Sequence, residues 1–220
     1  SACNMCAKKV IVVDSYECNS MDEANIMSRF KYLEKVICRG KACPRSAVIR
    51  IFNHTLENCL LELSLHGRSS AVSDDVIEFI VCRQRLIKRV VISNTLNVSD
   101  AALSHIARNC KGILSLDVHS CHKVLFSGDT MAQVCSGCPS LESLRLSLNR
   151  CSLDDALVQI GTHCSNLKYL NLAQCEGVHD HSVVPVVKGY RRLQSLDLVG
   201  TNVTKVGFAH ISQDCDTIAH

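Results

Sequence analysis

Apolar residues recur at a fixed step along this chain. Leu141, Leu144 and Leu146 are followed 26 residues on by Leu167, Leu170 and Leu172, and 26 further by Leu193, Leu196 and Leu198. Backwards, the template fits Ile113, Leu116 and Val118, then Ile87, Val90 and Ile92, then Leu60, Leu63 and Leu65, then Leu33, Val36 and Cys38. A degenerate copy starts near Ala7, with Val10 and Val12. These eight registers, 26 to 28 residues apart, tile nearly the whole chain. The last two apolar positions of each set are two apart, which predicts a short strand with one buried face. The second half of each unit repeats too. Val72-Ser73-Asp74 with Ile77 and Ile80 matches Val98-Ser99-Asp100 with Leu103 and Ile106. Later copies run through Asp154, Leu157 and Ile160, and through Val178, Asp180, Val183 and Val186. Apolar steps of three behind a Ser, Thr or Asp cap predict a short helix. One strand and one helix cannot bury their own apolar faces, so the units must stack on one another.

The cysteines follow the same period. Cys110, Cys138 and Cys164 each stand three residues before the first apolar strand position of the next unit. Cys121, Asn149 and Cys175 follow them by 11 residues, so Cys and Asn exchange where the strand turns away. An inward side chain there answers backbone groups that the turn exposes. The resulting pattern, L-x-x-L-x-L-x-x-C/N followed by D-x-x-L-x-x-I-x-x-x-C, resembles the cysteine-containing leucine-rich repeats of the F-box/LRR proteins over residues 7 to 220. That resemblance implies one α/β solenoid domain over residues 1–220, curved, with parallel strands on the concave face and helices on the convex one. It also implies a ubiquitin-ligase substrate receptor as one functional alternative. The expected departure is that no F-box helical segment precedes the repeats. A second resemblance rests on Asp14-Ser-Tyr-Glu-Cys18 and on Glu34-Lys35-Val36 within Leu33–Cys38. It is similar to the opening repeats of the mitochondrial ATP synthase coupling factor B family, and implies a subunit or assembly factor of a respiratory complex or ATP synthase. The Trp-containing N-terminal segment of that family has no counterpart here.

Composition changes this picture only at the edges. A formal charge of +3 is too mild for a polyanion binder, so nucleic acid is not an expected partner. No run of 18 apolar residues occurs, so no membrane span is expected. Ten Gly and three Pro leave no flexible interdomain linker. The 15 Cys are an odd set without a secretory signal at residues 1–9, which points to a reducing, intracellular setting, cytoplasmic (cytoskeletal included) or mitochondrial. The triplets at Asn53, Asn97 and Asn202 are then silent as glycosylation sites.

Catalytic and metal chemistry find no constellation. Cys3-x-x-Cys6 and Cys135-x-x-Cys138 lie five units apart, at least ~20 Å at the spacing of stacked strands, too far for one zinc ion. His119, Cys121 and His122, and Cys175, His179 and His181, follow no standard ligand spacing. No nucleophile elbow, phosphate loop or H-E-x-x-H motif is present. A non-enzyme without metal or cofactor is the expectation. Arg83, Arg85, Lys88 and Arg89 form a basic run, echoed at Arg191 and Arg192, which suits an acidic partner or lipid head groups but is more often a solvated loop edge.

The candidate site is therefore the concave sheet face, expected to bind other proteins. Between and just after the buried strand positions fall Lys35 and Arg39, then Glu62, Ser64 and His66, then Arg89 and Ser93. Ser115, Asp117 and His119 follow, then Ser143, Arg145 and Ser147, then Tyr169 and Asn171, then Ser195 and Asp197. Neither end carries an evident cap: Lys9–Val13 is the first strand, and Ile218 begins where another unit would. At least one terminal repeat is thus expected to be covered by a partner polypeptide, making the chain a subunit of a larger assembly.

Overall fold

The computed structural model describes residues 10–13, 32–39, 45–67, 72–189 and 192–214. Cys3, Cys6, the Asp14–Cys18 stretch, Arg191, Cys215 and Ile218 lie outside the described residues. Eight strands form one parallel sheet in chain order: β1 (Val10–Val13), β2 (Lys35–Cys38), β3 (Glu62–His66), β4 (Arg89–Ser93), β5 (Ser115–His119), β6 (Ser143–Arg145), β7 (Tyr169–Asn171) and β8 (Ser195–Asp197). The described helices are α1 (Arg45–His54), α2 (Asp74–Arg83), α3 (Asp100–Asn109), α4 (Gly128–Gly137), α5 (Asp154–His163), α6 (Asp180–Gly189) and α7 (Lys205–Asp214). Each helix packs on the next, on the side of the sheet opposite the concave face. This is a leucine-rich-repeat solenoid with one strand and one helix per unit.

The registers show why the 26-residue step matters. Val36, Leu63, Val90, Leu116, Leu144, Leu170 and Leu196 are paired strand to strand, forming one apolar column across the sheet. The helices answer with Ile77 and Ile80, Leu103 and Ile106, Met131 and Val134, Leu157 and Ile160, and Val183 and Val186, all buried. Burial of each such side chain contributes about 1.5–3 kcal/mol, and the sum is shared between neighbouring repeats rather than owned by any one. Neighbouring helices come close enough to exclude side chains: a Cβ at Gly137 would lie 2.5 Å from the Ala107 carbonyl oxygen.

Two lateral edges close each repeat. At the strand-exit edge one residue per repeat takes a positive φ: Gly67 (101°), Asn94 (55°), Ser120 (55°), Leu148 (60°), Gln174 (60°) and Gly200 (70°). That conformation aims its N–H at the next repeat, so Asn94, Ser120, Leu148 and Gln174 donate to the carbonyls of His119, Ser147, Ala173 and Val199. The following residue points inward. Cys121 and Cys175 are fully buried, and the Cys175 thiol donates to the Leu146 carbonyl at 3.1 Å. Asn149 does more: its Nδ2 donates to the Leu146 and Val118 carbonyls at 2.7 and 2.9 Å, and its Oδ1 accepts from the Cys121 amide at 2.9 Å.

At the helix-exit edge Cys110, Cys138 and Cys164 follow the helices and are buried. Gln84 holds the equivalent place after α2. Its Oε1 accepts from the Cys59 and Leu60 amides at 3.0 Å each, and its Nε2 donates to the Leu56 carbonyl at 2.9 Å. The helix starts differ from the simple caps expected. Ser99 and Ser127 do cap their own helices, but Ser73 bonds Asp75 and caps no amide. The aspartates reach forward instead. Asp74 accepts from the Ser99 amide and hydroxyl, Asp100 from the amides of Leu125, Phe126 and Ser127, and Asp180 from the Thr204 amide and hydroxyl. Asp154 takes the Ser182 hydroxyl in the same way, while at α4 Gly128 holds the place and offers no carboxylate.

Candidate functional site: the concave sheet face

Alternation along parallel strands puts every second residue on the open face, in rows that run across the repeats. One row is Lys35, Glu62, Arg89, Ser115, Ser143, Tyr169 and Ser195. The next is Ile37, Ser64, Val91, Asp117, Arg145, Asn171 and Asp197. Arg39, His66, Ser93, His119 and Ser147 continue at the strand ends. All eleven charged, amide, histidine and aromatic candidates, Lys35, Arg39, Glu62, His66, Arg89, Asp117, His119, Arg145, Tyr169, Asn171 and Asp197, thus share one surface.

Three of the hydroxyl residues expected to face outward do not reach solvent. Ser64, Ser93 and Ser147 are buried because taller neighbours lie over their short side chains. His66 Nδ1 sits 2.6 Å from Ser93 Oγ, and Arg145 Nε donates to Ser147 Oγ at 2.8 Å. Ile37 and Val91, which alternation also places on this face, are half-buried between the polar rows.

Most charges on the face are already paired. Lys35 Nζ meets Glu62 Oε2 at 2.5 Å, and Asn171 Nδ2 donates to Asp197 Oδ2 at 2.7 Å. In the centre Asp117 holds His119 Nδ1 at 2.7 Å and Arg145 Nη1 at 3.8 Å. Burial, then the nearby Arg39 and His119, push the His66 pKa below its ordinary value, with Asp117 opposing. These pairs lock side-chain rotamers before any ligand arrives, which lowers the ordering cost of binding. Arg89 stands outside the ion pairs of the described residues, and Tyr169 is 48% exposed. Arg and Tyr are the side chains that most often anchor protein interfaces.

The thiols are poor candidates for chemistry. Burial pushes Cys110 up to about 12 and Cys138 up to about 11, and Cys121 and Cys175 are also raised by burial. Cys135, hydrogen-bonded to Cys164 and buried, is raised as well. Thiolates are the reactive form, so these groups are held unreactive. Among the described residues no three His, Cys, Asp or Glu side chains are grouped to hold a metal ion. His179 and His181 stack at 5.7 Å rather than converge on a common point. No helix among them is long and apolar enough to cross a membrane.

Comparison with known proteins agrees with the repeat class. No family model matches the chain. It is 27% identical to the F-box protein SKIP1 of Arabidopsis thaliana, over 58% of this chain and 48% of that protein. It is 28% identical to F-box/LRR-repeat protein 4 of Bos taurus, over 70% of this chain and 30% of that protein. The chain therefore spans about half or less of the length of these relatives. Among solved structures, the yeast Rad7 and Elc1 complex aligns with TM-score 0.68 at 14% identity, covering 90% of this chain and 52% of that one. An internalin from Listeria monocytogenes aligns with TM-score 0.58 at 13% identity, covering 89% and 55%. One of these relatives is named an F-box/LRR-repeat protein, and the solved structures share the fold of this chain, a leucine-rich-repeat solenoid with cysteines in its repeats.

Proposed function

We propose that this chain is a non-catalytic protein-interaction scaffold that takes a partner on its concave face and works as a subunit of a larger assembly. The carrying observation is a continuous face whose charges are fixed by Asp117, Glu62 and Asp197 while Arg89 and Tyr169 stand free to be buried. A partner also covers at least one terminal repeat. Val206 and Phe208, exposed on α7 in the last described repeat, support that reading, because such apolar surface is ordinarily covered. Its chemistry fits an intracellular protein. The test is a photo-crosslinking residue at position 145 or 169, used in cells, with the partners identified by mass spectrometry. The reading predicts a defined partner from both positions, lost from position 145 in the double variant Arg89→Ala, Tyr169→Ala. Equal labelling of unrelated abundant proteins would end it.

A second reading is favoured by the F-box relatives: the chain serves as the substrate-receiving repeats of a ubiquitin-ligase adaptor. The crosslinked partner decides this, since a substrate would accumulate when proteasomal degradation is blocked. Cell fractionation separates both from the mitochondrial alternative.

A further inference from the structure

A second surface lies on the helix-exit edge, away from the concave face. After α2 and α3 the chain opens a cleft of about 420 Å³ lined by Arg85, Leu86, Lys88, Arg108, Lys111 and the backbone around Gly112. Four lining residues are basic and none is acidic. Two of them are partly occupied: Arg85 Nε donates to the Cys82 carbonyl and Lys111 Nζ to the Ala107 carbonyl, which finishes two helix ends. Helix-dipole neutralisation could account for those two alone. It does not account for Lys88 and Arg108, whose side chains make neither hydrogen bond nor ion pair among the described residues. The Lys88 ammonium lies over Gly112, where an added Cβ would come within 2.5 Å of Nζ.

The second observation is apolar. Leu86 is 52% exposed, and Leu61 and Leu114, at 40% and 41%, flank Lys88 on the neighbouring strand starts. The Leu61 carbonyl accepts from the Lys88 amide and the Leu114 amide donates to the Lys88 carbonyl, so these two leucines stand on either side of Lys88 while Leu86 lines the cleft itself. A free phosphate or a lipid headgroup would use the cations and leave the leucines wet. A lone apolar segment would leave the cations unmatched. We propose that this edge binds an acidic peptide segment carrying at least one large apolar residue, with the carboxylates on Lys88 and Arg108 and the apolar side chain on Leu86.

The probe is a library of short fluorescein-labelled peptides, each with several Asp or Glu and one Leu, measured by anisotropy against the purified chain. Part of the library should bind, and added salt should weaken it. The double variant Lys88→Gln, Arg108→Gln alters exposed side chains only and should weaken binding by about tenfold. Leu86→Ser should weaken it severalfold, while Tyr169→Ala leaves it unchanged and so separates this surface from the concave one. Amide shifts at Gly112 and Lys111 on titration would place the peptide. The proposal is overturned if no peptide binds. It is equally overturned if peptides with Ser in place of Leu bind as tightly, or if inorganic phosphate or phosphatidylserine vesicles engage the cleft and peptides do not.

Discussion

The two lateral edges of the solenoid solve the same problem with different parts. Both must satisfy backbone groups where the chain turns between sheet and helix, and both place cysteines there. At the strand-exit edge the turn is forced into positive φ, which leaves carbonyls facing inward within reach of a side chain. Here the thiol of Cys175 lies 3.1 Å from a carbonyl, and an amide, Asn149, fits the same place. At the helix-exit edge the thiols of Cys110 and Cys138 donate to the carbonyls of Gln84 and Cys110 at 3.5 and 3.7 Å, much as Cys121 on the first edge donates to those of His119 and Ile92 at 3.4 and 3.5 Å. The amide Gln84 appears there only where the preceding loop, Leu56 to Leu60, presents bare backbone. A cysteine in this fold is thus a small buried weak donor on both edges, and the edges differ in the backbone groups that an amide finds in its place.

The comparison breaks most visibly at Asn149. Asn149→Ala removes the side-chain partner of the Val118 carbonyl and the Cys121 amide and leaves the Leu146 carbonyl only the Cys175 thiol, and should cost about 3–4 kcal/mol in urea unfolding. Asn149→Cys should recover part of the loss, because that edge accepts a thiol. Gln84→Leu should cost about 2–3 kcal/mol by the same count on the loop before β3. Cys138→Ser should cost about 1–3 kcal/mol, since the shorter hydroxyl does not reach the Cys110 carbonyl that the thiol meets at 3.7 Å. If Cys138→Asn proved as benign as Asn149→Cys, the two edges would be equivalent after all.

Smaller effects sharpen the picture. Burial opposes ionisation of Asp100, but the hydrogen bonds from Ser127 and Leu125 outweigh it and hold the carboxyl below its ordinary value. A depressed folded pKa gives stability that is present above the unfolded value and lost as pH falls through the folded one. Asp100→Asn should therefore flatten unfolding free energy between about pH 5 and pH 3, removing about 1 kcal/mol after solvent screening. Leu148 holds φ 60° while partly exposed, so Leu148→Gly should raise stability by about 0.5–1 kcal/mol.

The sheet, the helices and the inward thiols were legible because burial imposes a period, and a period survives substitution. The rest depended on local height and direction. Ser64, Ser93 and Ser147 occupy outward positions yet lie buried, since strand alternation gives a side chain's direction and not the size of its neighbours. Gln84 shares the phase of Cys110, three residues before Ile87, and that phase could have revealed it; an amide simply reads as surface. The positive-φ row was invisible because Asn94, Ser120, Leu148 and Gln174 have nothing chemical in common. The basic run was seen but not the cleft, because Arg108 and Lys111 come to Lys88 from the next repeat.

The forward-reaching aspartates give the array a direction. Asp74, Asp100, Asp154 and Asp180 each complete a helix start that belongs to the repeat after their own. A chain leaves the ribosome with its N-terminal part first. Each carboxylate is therefore in place before the amides or hydroxyl it receives have been synthesised, and every emerging repeat meets a finished template instead of waiting for one. Assembly of this kind is vectorial. Among the described helices that precede another, α1 opens at Arg45 and α4 at Gly128 without this carboxylate, and the steps from α1 to α2 and from α4 to α5 are where a growing chain should pause.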